Sequence, residues 1–221
     1  MLYLLIVFYG CYYIRSGFFM PVICSFPASG KQIVLSFDDG PLLAFTPDVL
    51  NILDKHQAPA IFFCIGKRAE THSNLLDEIV HRGHVIGNHS YSHHRFFDFW
   101  SAGKMLADLQ KMDQVTEKHT GLKPKLFRPP YGVMNPNLRK TIINGNYTPV
   151  GWNMRSFDTM AQSPDKLLNK LLNALQPGKI YLFHDSMNIT TNILDQFLQE
   201  VKSRGYTVVA LHKVLNLQPY A

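Results

Sequence analysis

The stretch Ile33-Val34-Leu35-Ser36-Phe37-Asp38-Asp39-Gly40-Pro41 decides how this chain is read. Its apolar half, Ile33-Val34-Leu35, predicts a short buried strand, and Gly40-Pro41 ends it. Side chains alternate along a strand, so adjacent aspartates share one site only where the chain leaves the sheet. Gly40 is expected to supply that exit. Fifty residues after Asp39 comes His89-Ser90-Tyr91-Ser92-His93. Imidazole and carboxylate both suit zinc, and two histidines four apart with one distant carboxylate give three protein ligands, leaving a position for water. If Asp39 takes a metal, Asp38 stays beside it to accept that water's proton. Alone, Asp-Asp-Gly reads as a solvated turn and His-x-x-x-His as two surface histidines. Each lies at the end of an apolar run, and the conjunction argues for a shared site.

Short apolar runs recur near 33–37, 60–65, 84–87, 125–128, 148–152, 179–183 and 206–211, with stretches of helical spacing between most of them. Thr46-Pro47 before Val49, Leu50, Ile52 and Leu53 predicts a helix with Thr46 as N-cap and Pro47 at the first helical position. Ser163-Pro164 opens another, whose apolar face is Leu167, Leu168, Leu171, Leu172 and Leu175, a core face. This alternation predicts an α/β fold with a parallel sheet. Seven strands suit an irregular barrel, with the chemistry just after the strand ends. A chain of 221 residues with 46% apolar content fits one catalytic domain, taken as residues 31 to 221.

Two later runs have the same profile of strand then turn. In Leu126-Phe127-Arg128-Pro129-Pro130-Tyr131-Gly132, the fixed fork of Arg128 is suited to holding a carboxylate. Ile180-Tyr181-Leu182-Phe183-His184-Asp185 is a buried-strand pattern ending in a histidine. In this order the motifs resemble those of the polysaccharide deacetylase family, carbohydrate esterases that share the NodB homology domain, over about residues 31 to 215.

The resemblance implies a distorted (β/α) barrel of about seven parallel strands. It implies Asp38 as catalytic base, Asp39, His89 and His93 as metal ligands, and Arg128 as the residue that orients the base. Tyr131 falls where a backbone N–H helps hold an oxyanion, Leu182 where the acetyl pocket is lined, and His184 at the general acid. The implied cofactor is a divalent metal, zinc by default, with cobalt or nickel suited to the same geometry. Trp152-Asn153-Met154-Arg155-Ser156-Phe157-Asp158-Thr159 departs from the pattern. The family often has aspartate where Arg155 stands and tryptophan where Thr159 stands, and only Asp158 fits. The departure bears on the tuning of His184 and the shape of the sugar groove, so Arg155→Asp is expected to alter the pH profile through His184.

The implied reaction is metal-dependent hydrolysis of the acetamide of an N-acetylated amino sugar in a polysaccharide such as peptidoglycan, a chitin-like polymer or poly-N-acetylglucosamine. Alternatives are a domain that grips glycan without cutting it, a deacetylase of a lipid-linked or small N-acetyl sugar, and a non-haem iron oxygenase built on two histidines and a carboxylate. The second aspartate favours hydrolysis over the last.

The formal charge of +6 is spread along the chain, and no basic run interleaves with aromatics, so nucleic acid is not an expected partner. A mild basic excess suits an anionic envelope or acidic polymer. Three cysteines exclude full internal pairing, and Cys64 is expected as a small buried apolar residue. Phe96, Phe97, Phe99 and Trp100, next to the histidine motif, either wall a sugar groove or simply pack. Residues 1–30 read as an apolar anchor or signal-like segment, apolar over 2–13, interrupted by Arg15 and apolar again from Gly17 to Cys24. No basic residue precedes the run, unlike a secretory signal. A span over both halves would set Arg15 near its middle at about 2.5–3.5 kcal/mol. The expectation is a membrane-anchored or exported domain facing outside the cytoplasm, with the membrane met through this segment.

Overall fold

The computed structural model describes residues 2–221. Among them are eight strands: β1 (Gln32–Asp38), β2 (Ala60–Cys64), β3 (Val85–Asn88), β4 (Leu126–Phe127), β5 (Thr148–Pro149), β6 (Met154–Arg155), β7 (Lys179–His184) and β8 (Thr207–Val208). Each of the seven apolar runs yields a strand. The eighth, β6, is two residues long and carries no apolar run of its own. All pair in parallel in the order β5-β4-β3-β2-β1-β7-β6, with β8 joined to the start of β1. The sheet curls into a distorted (β/α) barrel.

The helices are α1 (Leu2–Tyr12), α2 (Thr46–His56), α3 (Gly66–Thr71), α4 (Ser73–His81), α5 (Ala102–Thr120), α6 (Pro136–Gly145), α7 (Pro164–Asn173), α8 (Asn188–Ser203) and α9 (Leu211–Val214). Strand parity sorts the core. Ile33, Leu35 and Phe37 of β1, with Tyr181 and Phe183 of β7, pack outward against α2, α7 and α8. Val34 and Ile180 belong to the inner cluster with Ile61, Phe63 and Val85. The inward row of β1 is therefore Val34, Ser36, Asp38, and that of β7 is Ile180, Leu182, His184, each climbing from apolar floor to polar rim.

The Ser163 hydroxyl caps α7 as expected, accepting from Lys166 N at 3.3 Å. At α2 the expectation fails. Thr46 is the first helical residue, no side chain caps it, and Pro47 lies in the first turn. The Thr46 hydroxyl turns inward instead, accepting from Leu42 N and donating to Asp185 Oδ2 at 2.6 Å. A buried carboxylate competes better for that donor than a helix end that water can reach.

The N-terminal segment divides. Residues 23–26 lie between β5 and β7, where Ile23 N donates to Pro149 O, Gly151 N to Ile23 O, and Phe26 N to Gly178 O. A Cβ on Gly178, at φ +79, would stand 2.4 Å from the Phe26 carbonyl, so glycine is needed there. Ile14, Cys24 and Phe26 are buried. The body expected to begin at residue 31 is thus sealed by residues that precede it. By contrast Leu4, Leu5, Ile6, Phe8, Tyr9 and Tyr12 of α1 are exposed. Among the described residues no helix is long and apolar enough to cross a membrane.

Candidate active site

Asp38 ends β1 and is 4% exposed. The chain leaves the sheet at Asp39, which takes the left-handed φ of 74°, so the expected exit at Gly40 lies one residue earlier. An aspartate tolerates this conformation better than most side chains. Gly40 is needed for another reason: a Cβ there would stand 2.0 Å from Oδ2 of the buried Asp185. Asp185 was given no role from sequence, yet its carboxyl group is wedged under the aspartate turn, and burial pushes it up to about 7.

His89 follows β3. Its Nδ1 lies 2.8 Å from the Arg128 carbonyl, which can only accept, so Nδ1 carries the proton and Nε2 keeps its lone pair for the cleft. Oδ1 of Asp39 lies 3.6 Å from Nε2 of His89 and 3.5 Å from Nε2 of His93, and one donor atom from each residue falls within 4.8 Å of the others. Donors about 2.0–2.1 Å from a tetrahedral centre stand about 3.4 Å apart, so this set fits an ion of zinc's size. Burial, then the neighbouring His89, push His93 down to about 4, which leaves a neutral imidazole.

The loop carrying both histidines is held from behind by α5. Asp108 Oδ2 accepts from the N–H groups of Tyr91 and Ser92. Asp113, bonded to the Tyr147 hydroxyl, fixes Asn88, whose Oδ1 accepts from Ser90 N. These bonds hold Ser90 and His93 at positive φ. Nothing in the sequence pattern marks Asp108 or Asp113, because their partners lie on a distant loop.

Arg128 is fully buried. Its Nη1 donates to Asp38 Oδ1 at 2.7 Å and to Ser36 Oγ at 2.9 Å, while Nε and Nη2 donate to the carbonyls of Val150 and Gly151. The fork is anchored on two sides and presents one edge to Asp38.

Opposite stands His184, whose Nδ1 is 2.7 Å from Asp158 Oδ1. Asp158 also accepts from His184 N and the Thr190 hydroxyl. Burial opposes charge on His184, but the hydrogen bond and charge of Asp158 outweigh it and raise the imidazole. Burial likewise opposes ionisation of Asp158, and the bond to His184 overcomes it, so the carboxyl is lowered. Arg155 forms no hydrogen bond or ion pair with either residue among those described. Its guanidinium lies over Phe157 and Trp152, so the expected route from Arg155 to His184 has no contact to carry it.

A cleft of about 250 Å³ is lined by Asp38, Asp39, His89, His93, Tyr131, Leu182 and His184, joined by Trp152, Arg155 and Thr159. Of the residues singled out from sequence, Arg128 and Asp158 stand just behind its wall. Tyr131 sits at φ 59° with its ring 4.8 Å from that of His93. The aromatic run does not wall this cleft. Phe97 is core, Trp100 packs on it, and Phe96 and Phe99 face solvent. The aromatic wall is Trp152 and Tyr131.

A buried carboxylate and a histidine flank a metal-type donor set in one cleft, an arrangement suited to hydrolysis. The profile of the family described as polysaccharide deacetylase matches residues 26–150, and the chain belongs to that family, whose class of enzyme is polysaccharide N-deacetylase. The chain is 32% identical to a peptidoglycan-N-acetylglucosamine deacetylase of Bacillus cereus, over 84% of this chain and 68% of that protein. It is 28% identical to the peptidoglycan-N-acetylmuramic acid deacetylase PdaC of Bacillus subtilis, over 83% of this chain and only 38% of that longer protein. The crystal structure of the Bc1960 peptidoglycan N-acetylglucosamine deacetylase superposes with a TM-score of 0.85 at 31% identity, covering 90% of this chain and 95% of that one.

Proposed function

We propose that this protein removes N-acetyl groups from amino sugars of a peptidoglycan-type polysaccharide, releasing acetate and leaving a free amine. The observation that carries the reading is the division of the aspartate pair: Asp39 Oδ1 lies 3.6 and 3.5 Å from the Nε2 atoms of His89 and His93, while Asp38 is tied to Arg128 at 2.7 Å and stands farther back, 3.9 Å from His89 Nε2. Asp39, His89 and His93 are the residues that would hold a divalent cation, zinc first, with cobalt or nickel suited to the same donors. Bound there, the cation supplies Lewis acidity toward the acyl oxygen and the attacking water.

The chain's own groups do the rest. Asp38, aimed by Arg128, takes the proton of the attacking water. The backbone N–H of Tyr131 supports the developing oxyanion, a kind of donor that contributes on the order of 3 kcal/mol. Leu182 walls the space for the acetyl methyl. His184, held charged by Asp158, gives its proton to the departing nitrogen, without which the tetrahedral adduct reverts to amide.

The substrate class is supported by similarity to deacetylases named for glucosamine and muramic acid residues of peptidoglycan. An envelope setting outside the cytoplasm, reached through the N-terminal segment, is supported by the exposed apolar side chains of α1, whose eleven residues carry no charge. The test is acetate release from peptidoglycan fragments, chitin oligomers and poly-N-acetylglucosamine, with chelator and with defined added metals. Metal-restored release from one of these is expected. Glycan binding with no release under any metal would overturn the reading in favour of a non-catalytic binding domain.

A further inference from the structure

Asp39 and the two histidines sit on loops that follow different strands, and one short segment grips both loops. Residues 64–68 run from the end of β2 into α3. Ile65 N donates to the Gly40 carbonyl at 2.8 Å, inside the aspartate turn. The next two N–H groups serve the histidine loop, Gly66 N donating to Ser90 O at 3.0 Å and Lys67 N to Tyr91 O at 2.9 Å. Cys64 O accepts from His89 N at 3.1 Å. Arg68 then reaches back, and its Nη1 donates to the carbonyl oxygen of Asp39 itself.

That bond is the only one made by the Arg68 guanidinium among the described residues, and no ion pair there competes for it. It falls on the residue held at φ 74°, where the chain turns out of the sheet. On the other side of the segment, a Cβ on Gly66 would stand 2.7 Å from Tyr91 Cα, which is backbone and cannot swing aside. Asp108 and Asn88 brace the histidine loop alone, whereas residues 64–68 fix it relative to the aspartate turn. A cation is held well only when its donors keep the separation it needs, and groups one step behind the ligands change affinity on the order of 10- to 100-fold.

We propose that residues 64–68 form a clamp that sets the spacing of the cation site, with Arg68 the positioning residue for Asp39. The inference rests on the reading of Asp39, His89 and His93 as the residues that hold a cation. The sign of the Arg68 effect separates two roles. A guanidinium near the site repels a bound cation, so charge acting alone would make Arg68→Met bind zinc more tightly. Loss of the bond frees the Asp39 peptide and makes it bind zinc more weakly.

The test is zinc affinity of the metal-stripped protein, read by competition with a chromophoric chelator, beside thermal unfolding of the same metal-free samples. Arg68→Met is expected to weaken zinc on the order of tenfold or more. Arg68→Lys keeps a donor and recovers part of that loss. Gly66→Ala, which presses on the histidine loop, weakens zinc as well, and should it not fold, the two Arg68 variants decide. The metal-free Tm of Arg68→Met stays near that of wild type, because the side chain is half-buried and belongs to no core cluster. Equal or tighter zinc binding by Arg68→Met, with Asp39→Asn impaired, overturns the clamp alone. A large fall in metal-free Tm that accounts for the lost affinity assigns Arg68 to folding and overturns it too. Wild-type affinity in Asp39→Asn, or no zinc bound by wild type, overturns the cation reading and the clamp with it.

Discussion

Asp38 and His184 are register partners on adjacent parallel strands, β1 and β7, and both point into the barrel. Beneath them the same pairing joins Ser36 to Leu182 and Val34 to Ile180. The groups read as base and acid therefore stand one strand spacing apart, about 4.8 Å, on a rigid floor. A one-residue slip of β7 would carry His184 to the helix-covered face, so the register that buries Tyr181 and Phe183 outward also aims His184 into the cleft.

Arg128 is expected to matter for folding as well as turnover. Arg128→Met leaves Asp38 and the carbonyls of Val150 and Gly151 without their buried donor. Breaking such a pair costs about 3–5 kcal/mol. Arg128→Lys restores charge but not the fork, and should fall between the two in urea unfolding. Acetate release should drop on the order of a hundredfold in both. Wild-type stability in Arg128→Met would contradict this account.

The Asp158–His184 pair predicts a pH signature. Without Asp158, burial lowers His184 against only the weaker opposing charges of Asp38 and Asp39, so the alkaline limb of the kcat/KM profile in Asp158→Asn moves to lower pH. Stability follows the same pair. The lowered Asp158 stabilises above its ordinary 3.8 and loses that as pH falls through its lowered value. The raised His184 stabilises below its ordinary 6.5 and loses that as pH rises through its raised value. The Tm deficit of Asp158→Asn should be largest between those two ordinary values and shrink on the alkaline side. A deficit flat across pH would show that the pair acts only by packing.

Gly40→Ala should distort the aspartate turn, because the added Cβ meets the Asp185 carboxylate. Overpacking of this kind costs about 1–3 kcal/mol. If the conflict is with that carboxylate, Asp185→Ala in the Gly40→Ala background recovers part of the lost stability in thermal unfolding. No recovery would mean that the backbone at residue 40 is the cause.

The strands that form the floor were legible because each is a run of buried apolar residues, and the histidine and aspartate motifs because each ends such a run. What escaped was set by tertiary contact. Thr46 looks like a cap and instead serves Asp185. Four clustered aromatics look like a sugar wall, yet Phe97 packs inward and the wall comes from Trp152 and Tyr131. Residues 23–26 look like part of an anchor, yet they seal the barrel by bridging Val150, just past the edge strand β5, to Lys179 at the start of β7. In each case the local pattern was real, and a distant element decided its use.

The most direct measurement is metal content and turnover, taken together, for Asp38→Asn and Asp39→Asn. The account predicts that Asp38→Asn keeps its full complement of metal and loses nearly all acetate release, while Asp39→Asn loses both. Loss of metal from Asp38→Asn, or turnover retained by it, would contradict the assignment of one aspartate to the ion and the other to the proton.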